Sequence, residues 1–325
     1  MATAAGTSLV RPTELLDQQR EMAAWWQSER GVWFGGRFIE LARRNPHPLD
    51  TGFLKTATGK MVADQEAHGL TGAEPFWVSE EMLALTWHAA ETMPGQPLAE
   101  GHLVCLSGFA YFAAPLYPYP DHDAAVLRAV RWHSTTARNP DDGRHEAGVM
   151  VTWYAGAMDG GYAEHPESTH WLGPPLIILH LSFLPYGRTP REHLISNDPD
   201  DAAAGAWNWF RFVTAMWTLM QQRIAHTTVL RPERHQRKRA ERAGLAAARG
   251  GVRVITLRRE LPDLAGSEPV PHRREVNWRS RWMVSGHWRN QPYKDGYRLI
   301  FIDPYVKGPE GLPLKFSDHV FKWTR

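Results

Sequence analysis

The stretch Trp278–Gln291 reads WRSRWMVSGHWRNQ, and it alternates in the manner of a β-strand. Successive side chains of a strand point to opposite sides of the sheet, so one side of this strand would carry three tryptophans. The other side would carry Arg279, Arg281, Met283, Ser285, His287, Arg289 and Gln291. We therefore predict one long strand whose indole face packs in a core and whose polar face meets solvent or an anionic, planar ligand.

Length and composition are those of an intracellular globular protein. The 325 residues are 43% hydrophobic and 22% charged, which is enough chain for two domains. A single cysteine, Cys105, excludes an internal disulfide and a cysteine-based zinc ribbon, and its apolar surroundings favour a packing role over a catalytic thiol. There is no run of eighteen apolar residues and no secretion signal in the first ten residues. We predict a cytoplasmic protein with no membrane partner.

The charge is divided unevenly along the chain. Residues 231–325 contain 21 Lys and Arg against 10 Asp and Glu, while residues 1–230 contain 16 against 25. Such a division is typical of an acidic body that carries a polyanion-binding end. It is equally compatible with attraction between the two parts, within one chain or between subunits, so a protein partner or self-association through the acidic domain stays open.

The pattern of residues 1–230 predicts helices followed by an antiparallel sheet. Residues 13–30 have a helical apolar stripe, and Ser79 with the two acidic residues after it predicts a capped helix to about Met93. Residues 201–226 form the strongest helical pattern of the chain. Between them, four apolar segments separated by turn residues predict strands at Leu103–Phe112, Ala124–His133, Gly148–Ala155 and Leu176–Phe183.

The remainder changes character. Residues 231–250 are rich in arginine and predict a basic linker or an exposed helix. Residues 251–325 predict a β-rich module, with Val252–Leu257 as its first strand and Asp295-Gly296 as a turn between two later strands. The predicted fold class is α+β: a helical and antiparallel-sheet N-terminal domain (1–230), the basic linker (231–250) and a small basic antiparallel β module (251–325).

The first functional hypothesis is nucleic-acid binding. Arginine forks bind phosphate oxygens bidentately, and alternate strand positions at about 7 Å follow a phosphate backbone, with nearby aromatic rings available for stacking. The predicted contact residues are Arg234, Arg237, Lys238, Arg239, Arg242, Arg279, Arg281, Arg289 and Lys307. Phosphate contacts carry no sequence information, so the ligand is RNA or DNA without strong sequence preference. The alternative is a solvated outer sheet face.

The second hypothesis is a metal-independent ribonuclease or toxin-like effector. His287, Arg289 and Gln291 follow Gly286 at alternate positions and would project together, one to move a proton and two to hold a phosphate. Candidates for the second acid or base are His319, Asp303 and Tyr293. Gly286 would weaken this alignment if it forms a bulge, and a structural histidine is the alternative. A third hypothesis is a non-enzymatic interaction or assembly protein.

Known cofactor and metal motifs do not match. The sequence has no phosphate-loop, nucleophile-elbow or dinucleotide fingerprint, and its 16 histidines have no spacing that dictates a shared metal site. We predict no cofactor and no metal.

Two C-terminal segments, Trp282–Pro292 and Ile302–Pro309, carry a resemblance. Their motif residues are Gly286, His287, Trp288, Arg289, Gln291, Pro304, Tyr305, Lys307, Gly308 and Pro309. In these residues and the basic linker the chain resembles a group of actinobacterial and actinophage proteins with a Gly-His-Trp-Arg-x-Gln core and a Pro-Tyr-x-Lys-Gly-Pro tail. No activity is known for the group. The resemblance implies a setting only, a high-GC bacterial or mobile-element gene.

Overall fold

The computed structural model describes most of the chain, with gaps. It covers residues 10–44, 57–116, 126–138, 144–156, 176–188, 202–258, 281–284, 286–294 and 296–307, and for 138, 202–208, 282 and 283 the backbone alone. The described residues form six α-helices, eleven strands and two short 3-10 turns.

Five of the helices precede residue 231, and the sixth lies in the predicted linker. They are α1 (Leu15–Trp26), α2 (Glu29–Arg44), α3 (Gly59–Gly72), α4 (Glu80–Thr92), α5 (Ala202–Met220) and α6 (Arg234–Arg242). The strands are β1 (Glu74–Val78), β2 (Ser107–Leu116), β3 (Leu127–Arg138), β4 (His145–Gly156), β5 (Leu176–Pro185), β6 (Ala225–Leu230), β7 (Val252–Leu257), β8 (Trp282–Val284), β9 (His287–Tyr293), β10 (Gly296–Ile302) and β11 (Tyr305–Lys307).

Seven strands form the main sheet in the order β5-β4-β3-β2-β1-β7-β6. The four strands predicted between residues 103 and 183, β2 to β5, pair antiparallel in sequence order as expected. β1 pairs parallel with both β2 and β7, so the sheet is mixed. Two small antiparallel pairs, β9 with β10 and β8 with β11, follow at the C-terminal end. The predicted α+β class is confirmed, with a mixed rather than wholly antiparallel main sheet.

Helices cover both faces of the main sheet. On one side, which we call the α3 face, Leu16 of α1, Val62 of α3 and Tyr111 of β2 belong to one buried core. On the other side, the α5 face, Met82 and Trp217 pack around core residues such as Phe112. Adjacent strand residues therefore serve two cores, as the alternation of a strand requires.

The predicted N-terminal helix at 13–30 is two helices. α1 ends at Trp26, and the turn before α2 is closed by Ser28, whose N–H and hydroxyl both donate to the carbonyl of Trp25. Gly31, the residue directly after the predicted helix, lies in α2, where a Cβ would come within 2.6 Å of the Trp26 backbone. The glycine thus permits close approach of the two helices instead of ending one.

Two elements near the sheet centre were not predicted. Thr58 begins α3, since its hydroxyl accepts a hydrogen bond from the Met61 N–H at 3.3 Å. The five-residue strand β1 follows directly and lies between β2 and β7. By contrast, the capped helix predicted at Ser79 is confirmed, because that hydroxyl accepts from the Met82 N–H and α4 ends at Thr92.

Over residues 201–257 the structure departs from two predictions and agrees with a third. The helix expected over 201–226 ends at Met220, and β6 begins at Ala225. The predicted linker contains α6, which agrees with its reading as an exposed helix. The strand at Val252–Leu257 is present, but it pairs with β1 and β6 of the main sheet and not with the C-terminal strands.

The prediction of one strand over Trp278–Gln291 is wrong. Its described part is two strands, β8 and β9, which belong to different two-stranded sheets. Gly286 lies between them and is buried, and a Cβ there would come within 2.7 Å of the Phe301 ring and 3.1 Å of Pro304. A side chain would prevent this close crossing, so the glycine is where the chain changes partners.

Candidate nucleic-acid interface

Strands β9 and β10 form a hairpin that gathers the residues proposed for binding and catalysis. The chain turns between Tyr293 and Gly296, which pair with each other, and Gly296 has a positive φ of +129°. The turn was predicted at Asp295-Gly296, of which the structure describes Gly296. His287, Arg289 and Gln291 face Ile302, Ile300 and Arg298 across the ladder. These six side chains and Tyr293 share one side of the hairpin, which we call the outer hairpin face.

The opposite side of the hairpin packs on the body. Phe301 is buried on the α5 face, and the Trp288 ring contacts it edge-on at 5.2 Å between centroids. The Trp288 indole N–H donates to the carbonyl of Ala89 near the end of α4, at 2.8 Å. Of the three tryptophans expected in a core, Trp288 is partly buried and packs against one. Trp278 and the Trp282 side chain fall outside what is described.

A glutamine side chain holds the free edge of the hairpin. Phe301 N–H donates to Gln222 Oε1 at 3.0 Å, and Gln222 Nε2 donates to the Leu299 carbonyl at 3.3 Å. The Gln222 carboxamide, in the turn that follows α5, therefore makes the hydrogen bonds to β10 that a neighbouring strand would make. Together with the Trp288 bond, it holds the outer hairpin face in a defined position on the body.

The outer hairpin face combines cations with an aromatic ring. The Arg298 guanidinium lies over the Tyr293 ring, 5.0 Å from its centroid, in cation–π geometry. Arg289 is exposed and has no acidic partner among the described residues. His287 is exposed as well. The face thus offers charge for phosphates and a ring for stacking within one small surface.

The basic helix α6 lies in the other layer of the molecule. Its buried residue, Ala240, packs in the core of the α3 face, whereas Phe301 of the hairpin belongs to the core of the α5 face. The cations of α6 and those of the hairpin therefore lie against different faces of the main sheet.

Part of the charge on α6 is used within the chain. Arg239 forms an ion pair with Asp17 of α1 at 3.0 Å, and Gln236 donates to the same carboxylate. Arg237 lies 4.0 Å from Glu241. The remaining cations, Arg234, Lys238 and Arg242, are exposed at intervals of four residues and share the solvent side of the helix.

The other predicted contact residues flank the hairpin in sequence. Arg281 directly precedes β8 and is half-buried, and Lys307, exposed, pairs with Trp282 in the β8–β11 ribbon. Arg279 falls outside the described residues. Arg298 was not among the predicted nucleic-acid contacts. The sequence signal for it was its alternate spacing with Ile300 and Ile302, which places the three side chains on one side of a strand.

The residues considered for catalysis differ in their surroundings. Asp303 follows the residue that pairs with His287, and burial raises the pKa of its carboxyl. Tyr293 is occupied by its contact with Arg298, and His319 lies outside the described residues. Burial and then the nearby Glu74 raise the pKa of the Cys105 thiol to about 12, and the thiol donates to the Ser107 carbonyl. A protonated thiol is a poor nucleophile, in agreement with a packing role.

A buried polar network lies on the α3 face, and it was not predicted from the sequence. Arg131 of β3 donates to Glu66 of α3 and, at 2.9 Å, to the Thr152 hydroxyl of β4. The Tyr154 hydroxyl donates to the other oxygen of Glu66. Arg131, Tyr154 and Thr152 are fully buried and Glu66 is 1% exposed, so the network closes on itself away from solvent.

His133 forms the outer end of this network. Its Nδ1 lies 2.9 Å from an Arg131 nitrogen, and since arginine only donates, Nδ1 is the acceptor. Burial, followed by the charges of Arg131 and His68, lowers the pKa of His133 to about 3. The imidazole is thus neutral near pH 7 and carries its proton on Nε2.

Where the structure describes the chain, no three His, Cys, Asp or Glu side chains are grouped to hold a metal ion. Within those ranges no helix is long and apolar enough to cross a bilayer.

Comparisons with known proteins give a distant likeness in structure. No protein-family model and no curated protein matches the sequence. Among solved structures, the crystal structure of AcrVA2 aligns with a TM-score of 0.42 and 10% identity over 90% of this chain and 93% of that chain.

Proposed function

We propose that the protein binds RNA or DNA, without strong sequence preference, through the outer hairpin face. The observation that supports this is the convergence of Arg289, Arg298 and His287 beside the Tyr293 ring on a strand pair fixed to the body. Cations of this kind bind backbone phosphates, and an aromatic ring accepts any base by stacking.

The position of α6 limits the proposed surface. Because α6 lies in the layer across the main sheet, its cations and those of the hairpin do not follow one continuous backbone track. The hairpin carries the proposed binding, and α6 is a separate basic surface partly neutralised by Asp17. The resemblance to actinophage proteins adds a mobile-element setting to the proposal.

The test compares matched pairs of cations. Binding of nuclease-treated protein to a fluorescent oligonucleotide of about 20 nucleotides is followed by anisotropy from about 50 to 200 mM salt, the range in which phosphate contacts dominate affinity. Arg289→Ala with Arg298→Ala should weaken binding to every sequence and lower the salt slope by about two. Arg234→Ala with Lys238→Ala removes the same charge from α6 and should have the smaller effect.

Two results would contradict the proposal. The first is an absence of binding at about 50 mM salt, where electrostatic contacts are strong. The second is an equal loss from the hairpin and α6 pairs, which would point to net charge and not to the outer hairpin face.

A second candidate function, phosphodiester cleavage without metal, is favoured by the place of Asp303. A carboxyl whose pKa is raised by burial follows the β10 residue that pairs with His287, so the two groups belong to the same end of the hairpin. RNA incubated with the purified protein should be cut with a bell-shaped pH profile, and His287→Ala should abolish cutting while His88→Ala, another exposed histidine, should not. Intact RNA across the pH range would reject this candidate.

A further inference from the structure

Strand β6 is an exposed edge of the main sheet. Among the described residues it pairs with β7 alone. Four consecutive residues, His226 to Val229, are exposed, so neither side of the strand is covered there. The opposite edge, β5, is mostly buried and has a register shift against β4.

The direction of the backbone groups of β6 follows from one hydrogen bond. Arg258 N–H donates to the Ile224 carbonyl at 2.8 Å, so Ile224 points toward β7. In an antiparallel ladder the residues that point to the partner alternate. His226 and Thr228 therefore face β7, while Thr227 and Val229 direct their N–H and C=O groups outward. These are four outward backbone groups, and within the part of the chain that the structure describes none of them has a hydrogen-bond partner.

Edge strands usually carry features that discourage pairing, such as proline, charge or a bulge. Residues 225–230, AHTTVL, contain no proline, lysine or acidic residue, and the register with β7 is unbroken. Thr227, Thr228 and Val229 are β-branched residues that favour a strand. The sequence of this edge is thus suited to pairing.

We propose that a second copy of this chain pairs with β6, antiparallel, about a two-fold axis at Thr228. Thr227 of one copy then faces Val229 of the second copy, and each such pair exchanges two N–H···O bonds because both residues point outward. Two pairs related by the axis make four intermolecular hydrogen bonds, and Thr228 meets its own copy at the centre.

Side chains and charges fit this register. Across the interface threonine faces threonine or valine, which are favourable cross-strand pairs. The two Arg231 side chains stand three residues from the axis on opposite sides, about 20 Å apart at the rise of a strand, well beyond the screening length of about 8 Å at physiological salt. A two-fold operator makes the same strand serve both sides, so one sequence satisfies the whole interface.

A two-fold axis perpendicular to the sheet leaves both α5 faces on the same side of the dimer. Both outer hairpin faces would then be presented to one ligand, and linked sites raise overall affinity without new contacts. The pairing itself does not depend on the proposed binding, since it uses only backbone groups of β6.

The first experiment measures mass. Nuclease-treated protein, at tens of micromolar, should sediment at twice the chain mass of 36.9 kDa. Thr227→Pro removes an outward N–H and leaves the bonds to β7 in place, so it should give a folded monomer, whereas Thr227→Val should stay dimeric. A monomeric starting protein, as expected if another segment of the same chain covers β6, overturns the proposal, and so does a dimer that survives the proline.

The second experiment fixes the register without relying on the proline variant. In a Cys105→Ser background, Thr228→Cys places two thiols at a non-hydrogen-bonded pair with Cα atoms about 4.5 Å apart, within disulfide range. Mild oxidation should crosslink the dimer. Val229→Cys is the matched control, because its copies lie about 8 Å apart, too far to bridge. No crosslink through residue 228, or an equal crosslink through residue 229, overturns the register.

Discussion

Two arginines on strands of this protein, Arg131 and Arg289, show opposite uses of the same side chain. Arg131 is fully buried in β3, and Glu66, Thr152 and Tyr154 surround its guanidinium. Arg289 is exposed on β9 and has no acidic partner among the described residues. The surroundings, and not the residue type or its place in an alternating strand, decide whether a strand arginine holds the fold together or is available to a ligand.

The difference has a physical cause in solvation. A buried charge is stable only where a partner and hydrogen bonds replace water, so Arg131 depends on α3 being in place. An exposed guanidinium keeps its hydration and gives it up only to phosphate. Substitutions at the two sites should therefore change different measurements.

The largest effect is expected from Glu66→Gln. The amide keeps the shape but removes the negative charge, which leaves Arg131 buried without its counterion. We expect a loss of about 3–5 kcal/mol in the free energy of unfolding, measured by urea denaturation. Glu40→Gln breaks the exposed pairs with Arg37 and Arg44 and should cost less than about 1 kcal/mol. Similar losses from the two would contradict the contrast.

Gly69→Ala should follow in size. An added Cβ would occupy the place of an Arg131 guanidinium nitrogen, so the arginine must move from its partners. We expect a loss of about 1–3 kcal/mol, as for overpacking. Gly72→Ala, at the end of the same helix, has open space around it and serves as the control. Thermal unfolding of both variants would show whether the network tolerates displacement.

The pH dependence of stability tests the outer end of the network. The pKa of His133 is lowered to about 3 in the folded chain, against about 6.5 for an unfolded histidine. Between these values the unfolded chain binds the extra proton, so this contribution to stability is full above pH 6.5 and is lost as the pH falls toward 3. The free energy of unfolding should rise with pH by up to about 1.4 kcal/mol per unit in this range.

His133→Gln should remove that part of the slope, since glutamine accepts from Arg131 and does not titrate. His145→Gln, at an exposed histidine of β4, should leave the slope unchanged. An identical pH profile for His133→Gln and the starting protein would show that the imidazole is solvated in both states.

The smallest effect on stability is expected at the outer hairpin face. Arg289→Ala should change the free energy of unfolding by less than about 0.5 kcal/mol, the usual range for exposed substitutions. The same change should weaken nucleic-acid binding if the proposed function holds. A destabilised variant would show that Arg289 supports the hairpin, and the contrast with Arg131 would fail.

The network also explains why part of the fold escapes sequence analysis. Val62, Ala63, Ala67 and Leu70 follow a helical period, but Glu66 interrupts their apolar stripe. Arg131 likewise interrupts the inward positions of β3. Each residue alone is a charged residue at a buried position, which is unfavourable. Their contact, across 65 positions of the sequence, compensates for the burial of both charges.

The C-terminal hairpin shows the reverse case. The Asp295-Gly296 turn and the alternation of His287, Arg289 and Gln291 are local features, so they are readable from the sequence. The end of the strand at Gly286 was not readable, since the reason for it lies in Phe301 and Pro304, which come later in the chain.

By itself the sequence determined the α+β class, the antiparallel run from β2 to β5, the Ser79-capped helix and the charge of the C-terminal residues, because each depends on neighbours along the chain. Tertiary structure alone decided that β7 completes the main sheet, that α6 and the hairpin lie on opposite layers and that Arg131 is buried. Those outcomes depend on which distant segments pack together, and the free energy of that packing resides in contacts that no local pattern contains.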